Sequence, residues 1–277
     1  MRAAFVRRSA LVASAASLAL LVTACGGSSD DTDTKGKAED APKSASAEPE
    51  QSAVEALTAA ELEKASLVAA DLPKYQVKKA DAADVLKAGA VTTDKPECLP
   101  LAEALFGVAQ GKPAASTMNQ VMQVPDAEPV DQSAGTSEED VDKALESLED
   151  TLGSIKEMQS TMVGLFSYDG KGSADALAAV RESATACTSG FSATAEGETQ
   201  KFSEITEGKA TGGDEAVSWS LLATQEGVKV PFELLAVRHA GTVATFSTFN
   251  MSGMSGGAVA KVEQPTEVVD AQVKKLS

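Results

Sequence analysis

The hydrophobic and polar positions along the chain change period several times, and each change predicts an element. Leu57-Thr58-Ala59-Ala60-Glu61-Leu62 carries a Ser/Thr-x-x-Glu capping box framed by Leu57 and Leu62 as a hydrophobic staple, so a helix starts there. Tyr75 to Lys79 reads as a short strand. Asp94, Pro96 and Glu97 open a helix carrying Cys98, Leu101, Ala102, Leu105 and Phe106, which ends near Gly107 or Gly111. Thr117 to Val124 reads as a strand closed by Pro125.

From Ser137 a longer helical pattern follows. Val141, Leu145, Leu148, Leu152 and Ile155 are spaced four, three, four, three, and Met158 and Met162 continue the stripe. This amphipathic helix, 138–162, is expected to pack on the domain's own sheet; a seam for a second copy or another protein is the alternative. Val163 to Tyr168 reads as a strand turning at Asp169-Gly170. Ser173 is expected to cap the next helix, whose inner face is Leu177, Val180, Ala184 and Cys187, with Gly190 past its end.

Beyond Gly190 the period becomes two. Phe191 to Ala195 and Lys201 to Thr206 read as strands. Ala216 to Thr224, Val228 to Arg238 and Thr242 to Asn250 read as a meander with turns at 225–227 and 239–241. A Gly/Ser/Met-rich stretch from Met251 to Gly257 leads to a last helix with Pro265 at its start and Val268, Val269, Val273 and Leu276 inward. Helices before and after a mostly antiparallel sheet predict one α+β domain over residues 53–277.

The first 52 residues do not belong to that pattern. Arg2, Arg7 and Arg8 precede an apolar run from Ala10 to Val22, too short for a permanent membrane span and of the length of a signal-peptide core. The run ends Val22-Thr23-Ala24-Cys25, which resembles the lipobox of bacterial lipoproteins. That resemblance implies cleavage after residue 24 and a diacylglyceryl group on the Cys25 thiol, with the bilayer as a partner through the acyl chains. The adjacent Arg7-Arg8 is also compatible with twin-arginine export. Residues 26–52 hold no apolar side chain larger than Ala, and seven acids stand against three lysines. Such a segment cannot bury enough surface to offset its ordering entropy, so residues 25–52 are expected to be a lipidated, disordered acidic tether.

Charge and composition narrow the function. The chain has 24 Lys+Arg against 41 Asp+Glu, and loss of residues 1–24 takes the net charge from −17 to −20. That balance argues against nucleic acid as a partner. One histidine leaves no His-rich metal site, and no cofactor or nucleotide motif is present. After lipidation Cys98 and Cys187 are the two remaining thiols, and outside the cytosol an even pair is expected to form a disulfide.

Three short motifs bear on chemistry. Gly253-Met254-Ser255-Gly256-Gly257 matches the nucleophile elbow of hydrolases. His239, however, precedes Ser255 and the sheet reads antiparallel, so no catalytic residue is expected. Gly212-Gly213-Asp214-Glu215-Ala216 is similar to the signature loop of diguanylate cyclases, but a turn into a strand accounts for it. Trp219, Arg238 and His239 are the candidate ligand-binding residues; core packing for Trp219 and a solvated turn for the other two are the alternatives.

The order of Leu57–Leu62, Cys98, Ala186-Cys187-Thr188-Ser189-Gly190-Phe191, Ala236–Val243 and Gln272-Val273-Lys274-Lys275 is similar to actinobacterial lipoproteins with a sensor-like domain. The same type of domain lies outside the membrane on a mycobacterial Ser/Thr kinase. The resemblance implies an α+β domain with a ligand-binding cleft and usually two disulfides, where this chain has thiols for one. The expected function is a non-enzymatic, membrane-anchored extracytoplasmic lipoprotein that binds a small molecule or an envelope component. A scaffold acting through the 138–162 helix is the alternative, and a serine hydrolase at Ser255 the remote one.

Overall fold

A computed structural model describes residues 54–83, 85–124, 145, 158–250 and 261–277. Its centre is a nine-stranded antiparallel sheet in the order β1-β3-β4-β9-β8-β7-β6-β5-β2. The strands are β1 (Tyr75–Lys79), β2 (Val91–Thr93), β3 (Ala115–Gln123), β4 (Gln159–Ser167), β5 (Phe191–Ala195), β6 (Glu198–Glu207), β7 (Glu215–Gln225), β8 (Val228–His239) and β9 (Thr242–Asn250). Among the described residues it is accompanied by the helices α1 (Ala59–Ala65), α2 (Leu99–Leu105), α3 (Gly172–Ala186) and α4 (Thr266–Leu276). The α+β class follows directly, and the helices divide between the two sheet faces.

Alternation along β8 sets that division. Leu234 and Ala236 point to one face and pack with Leu101 and Leu105 of α2 and Leu177 and Val180 of α3. Leu235 and Val237 point to the other and pack with Leu62 of α1 and Val268 and Val269 of α4. Both faces of the central strands are therefore buried, so β8 reads as a nearly continuous apolar run rather than a half-polar one. Pro231 interrupts that run without breaking the sheet, because the β8–β9 ladder begins one residue later, at Phe232↔Phe249.

Local signals act as the sequence predicts at most boundaries. Thr58 and Glu61 form the reciprocal capping box of α1. Glu226 and Gly227 both adopt positive φ, which matches the twist of the tight β7–β8 hairpin. Cys98 closes a single 3₁₀ turn (Pro96–Cys98) that leads into α2, and it is disulfide-bonded to Cys187 at the C-terminal end of α3, with the Cα atoms 5.8 Å apart.

Two expectations are corrected. Ser173 lies inside α3 rather than capping it; Lys171 holds the N-cap position, and the Ser173 hydroxyl donates to the Ala240 carbonyl in the β8–β9 turn. The helix expected over 138–162 does not reach 162, because β4 starts at Gln159 and pairs with Asn250 of β9. Met158 and Met162 continue the heptad spacing by coincidence, whereas Thr161-Met162-Val163-Gly164 has strand composition. Val141, Leu148, Leu152 and Ile155 lie outside the described residues; Leu145 is helical and 55% exposed. Among the described residues no helix is long and apolar enough to cross a membrane.

Candidate functional site

The cavity that combines apolar walls with buried polar groups lies between α2 and the sheet and measures about 220 Å³. Its floor is one sheet face. Cross-strand register places Met162 beside Ser247, Phe232 beside Phe249 and Ala223 beside Val230. The roof is the end of α2, Leu105 and Phe106. Gln200 of β6 completes the lining.

Aromatic packing shapes the walls. Phe232 and Phe249 are tilted at 34° with centroids 5.5 Å apart. Phe202 meets Phe106 and Phe232 edge-on, each at 6.1 Å, and stacks on Phe191 at 5.1 Å. Edge-to-face and offset arrangements are the favoured geometries for such pairs. They hold Phe106 and Phe232 at the rim while Phe202 stays in the core behind them.

Two wider clefts have a different character. One, about 450 Å³, lies beside α1 and the loop after β1 and includes the Lys79–Glu63 ion pair at 2.7 Å. Hydrogen bonding from Lys79 and Thr117 holds the Glu63 carboxyl below its ordinary range. The other, about 440 Å³, is bordered by Asp71, Tyr75 and Glu267, and Lys275 bridges to Asp71 at 2.8 Å. The charged side chains of these pairs are engaged with each other.

The candidate residues read from sequence go elsewhere. Trp219 is 3% exposed, packs in the core under α3, and does not line any of these three spaces. Arg238 donates to Asp214 at 3.3 Å and to Glu215 at 3.4 Å, and Arg181 of α3 reaches the second oxygen of Glu215 at 2.5 Å. The Arg181 hydrogen bond, helped by Arg238, pulls the Glu215 carboxyl below its ordinary pKa. His239 Nδ1 lies 3.8 Å from Asp214 Oδ1 without hydrogen-bonding to it. Asp214 also accepts the backbone N–H of Ala240. The Gly-Gly-Asp-Glu segment is thus a turn whose acids fasten the start of β7 to the end of β8.

Ser255 lies outside the described residues. His239 pairs with Thr242, at the opposite end of β9 from Asn250. Cys25 also lies outside them. The described residues contain no group of three or more His, Cys, Asp or Glu placed to hold a metal ion.

Sequence reasoning missed the cavity residues Phe106, Met162, Val230, Phe232, Ser247 and Phe249. One signal was available: the β8–β9 turn alone fixes Phe232 opposite Phe249 and Leu234 opposite Ser247. No family model matches the chain, and no curated protein matches it. Among solved structures it is similar to the extracellular domain of PknH from Mycobacterium tuberculosis, at 10% identity over 80% of this chain and 98% of that chain, with a TM-score of 0.44.

Proposed function

We propose that this chain is a lipid-anchored, extracytoplasmic, non-enzymatic domain that binds a small molecule or an envelope component in the cavity beneath α2. One observation carries the reading: an apolar, aromatic-walled space with a few polar groups, held between a disulfide-tied helix and the sheet. The sequence ending at Cys25, which resembles an export and lipidation signal, supports that compartment. The first described residues are fastened to the sheet. Val54 accepts a hydrogen bond from Gly170, and Leu57 donates to Ser167, both at the β4 C-terminal end.

Native mass spectrometry of the full-length protein purified from its own envelope tests the reading. A retained molecule that is lost when Ala223→Phe fills the cavity supports it. An empty protein, unchanged by that substitution, counts against it. Cys25→Ser should abolish the diacylglyceryl mass and release the protein from the membrane fraction; a wild-type chain found unmodified and uncut would remove the anchor.

A second reading is a scaffold using the stripe from Val141 to Ile155, supported by the 55% exposure of Leu145. Leu148→Asp should then abolish self-association or capture of a partner.

A further inference from the structure

We infer that the cavity beneath α2 takes an uncharged, ring-sized molecule with one hydrogen-bonding group, and that this group pairs with the Ser247 hydroxyl. The inference rests on the binding role proposed above and narrows it to a ligand class.

Size sets the first limit. At about 220 Å³ the space is larger than the roughly 150 Å³ engineered apolar cavity known to admit benzene, and smaller than the about 300–1,000 Å³ typical of drug-sized sites. One substituted ring fills it. The walls favour such a shape, because Phe106, Phe232 and Phe249 present faces and edges to the same space.

Charge sets the second. Among the described residues the lining contains no Asp, Glu, Lys, Arg or His. An ionised ligand would leave water for this space without a counter-charge, at a cost of several kcal/mol per charge. A neutral ligand avoids that cost.

Ser247 sets the third. It is 2% exposed, lies on the cavity face of β9 between its cross-strand neighbours Met162 and Leu234, and lines the space. Its hydroxyl makes no hydrogen bond among the described residues, whereas Thr248, on the opposite face, pairs with Thr161 at 3.0 Å. A hydroxyl that lines a cavity can donate to or accept from a ligand's hydroxyl, carbonyl or amide. It can donate or accept, which leaves either polarity open.

Four ring compounds of similar size test this on the full-length Cys25→Ser chain: benzyl alcohol, toluene, benzoate and benzylamine, with affinity read by saturation-transfer NMR. Benzyl alcohol should bind at least about tenfold more tightly than either charged compound. Ser247→Ala removes one oxygen from a packed strand, and circular dichroism should report an unchanged fold. It should weaken benzyl alcohol by about three- to tenfold and leave toluene within about twofold. Ala223→Leu, which fills the space, should weaken all binders.

Benzoate or benzylamine matching benzyl alcohol would overturn the charge limit while leaving the binding role standing. Equal losses of toluene and benzyl alcohol in Ser247→Ala would overturn the role of the hydroxyl. Failure of all four compounds to bind the wild-type cavity would overturn the inference. The binding role itself falls separately, if the envelope-purified protein also retains no molecule.

Discussion

Ser183, in the last turn of α3, accepts the backbone N–H of Leu101 at 3.1 Å and so caps α2 from a neighbouring helix. The first-turn amides of a helix have no partner within it, and α2 has no side-chain cap of its own at Cys98. Both groups are buried, so the bond replaces water. Ser183→Ala is expected to lower stability by about 1–2 kcal/mol, because it leaves a buried donor unsatisfied. Urea unfolding followed by circular dichroism measures it. A change within about 0.3 kcal/mol would show that the Leu101 amide finds another partner.

The disulfide fastens the same pair of helices one turn away. Cys98 and Cys187 are 89 residues apart, and closing a loop of that length removes denatured-state entropy worth roughly 4–5 kcal/mol on the chain-entropy model. Replacing both with Ala should cost about 2–5 kcal/mol. Because Leu105 and Phe106 of α2 roof the cavity, ring binding should weaken in the double variant even under conditions where it stays folded. Unchanged affinity would mean that the roof is held by packing alone.

Gly190 follows α3 and precedes β5, with φ +84°. A Cβ there would stand 2.6 Å from the backbone carbonyl oxygen of Phe202, an atom fixed by the β5–β6 ladder. The conformation and the space both require glycine. Gly190→Ala should destabilise the fold by more than about 1 kcal/mol. It should also displace Phe202, against which Phe106 and Phe232 pack. A melting temperature unchanged from wild type would contradict this.

These contacts show how far the pattern of residues reaches. The capping box at Thr58, the hairpins at Gly227 and Ala240, and the pairing of Phe232 with Phe249 depend on residues close in the chain, so local periodicity reports them. The cavity depends on which helix covers which face, and α2 reaches β9 only through contacts more than 100 residues apart. Met162 shows the limit: its spacing from Leu148, Leu152 and Ile155 fits a helix, while the ladder to β9 makes it a strand residue of the cavity floor. Arg238 looks from sequence like a solvated turn residue or ligand group because its partners, Asp214, Glu215 and Arg181 behind Glu215, lie 23 to 57 residues earlier.

That ion cluster makes the fold sensitive to acid in a defined direction. The Glu215 carboxyl has its pKa depressed, first by the Arg181 hydrogen bond and then by Arg238. A carboxyl that binds protons less readily in the folded state stabilises the fold above its unfolded pKa, near the ordinary value of 4.5, and loses that contribution as pH falls through the depressed value. The Arg181 and Glu215 side chains are both more than a third exposed to solvent, so screening keeps the effect below about 1 kcal/mol. Arg181→Met should therefore reduce stability slightly near pH 7, and its difference from wild type should narrow at acid pH as the Glu215 carboxyl takes up its proton. Glu215→Gln should show the same convergence. Urea midpoints at the two pH values supply the measurement, and a deficit in Arg181→Met that persists undiminished in acid would assign the role of Arg181 to packing of its aliphatic stem instead of to its charge.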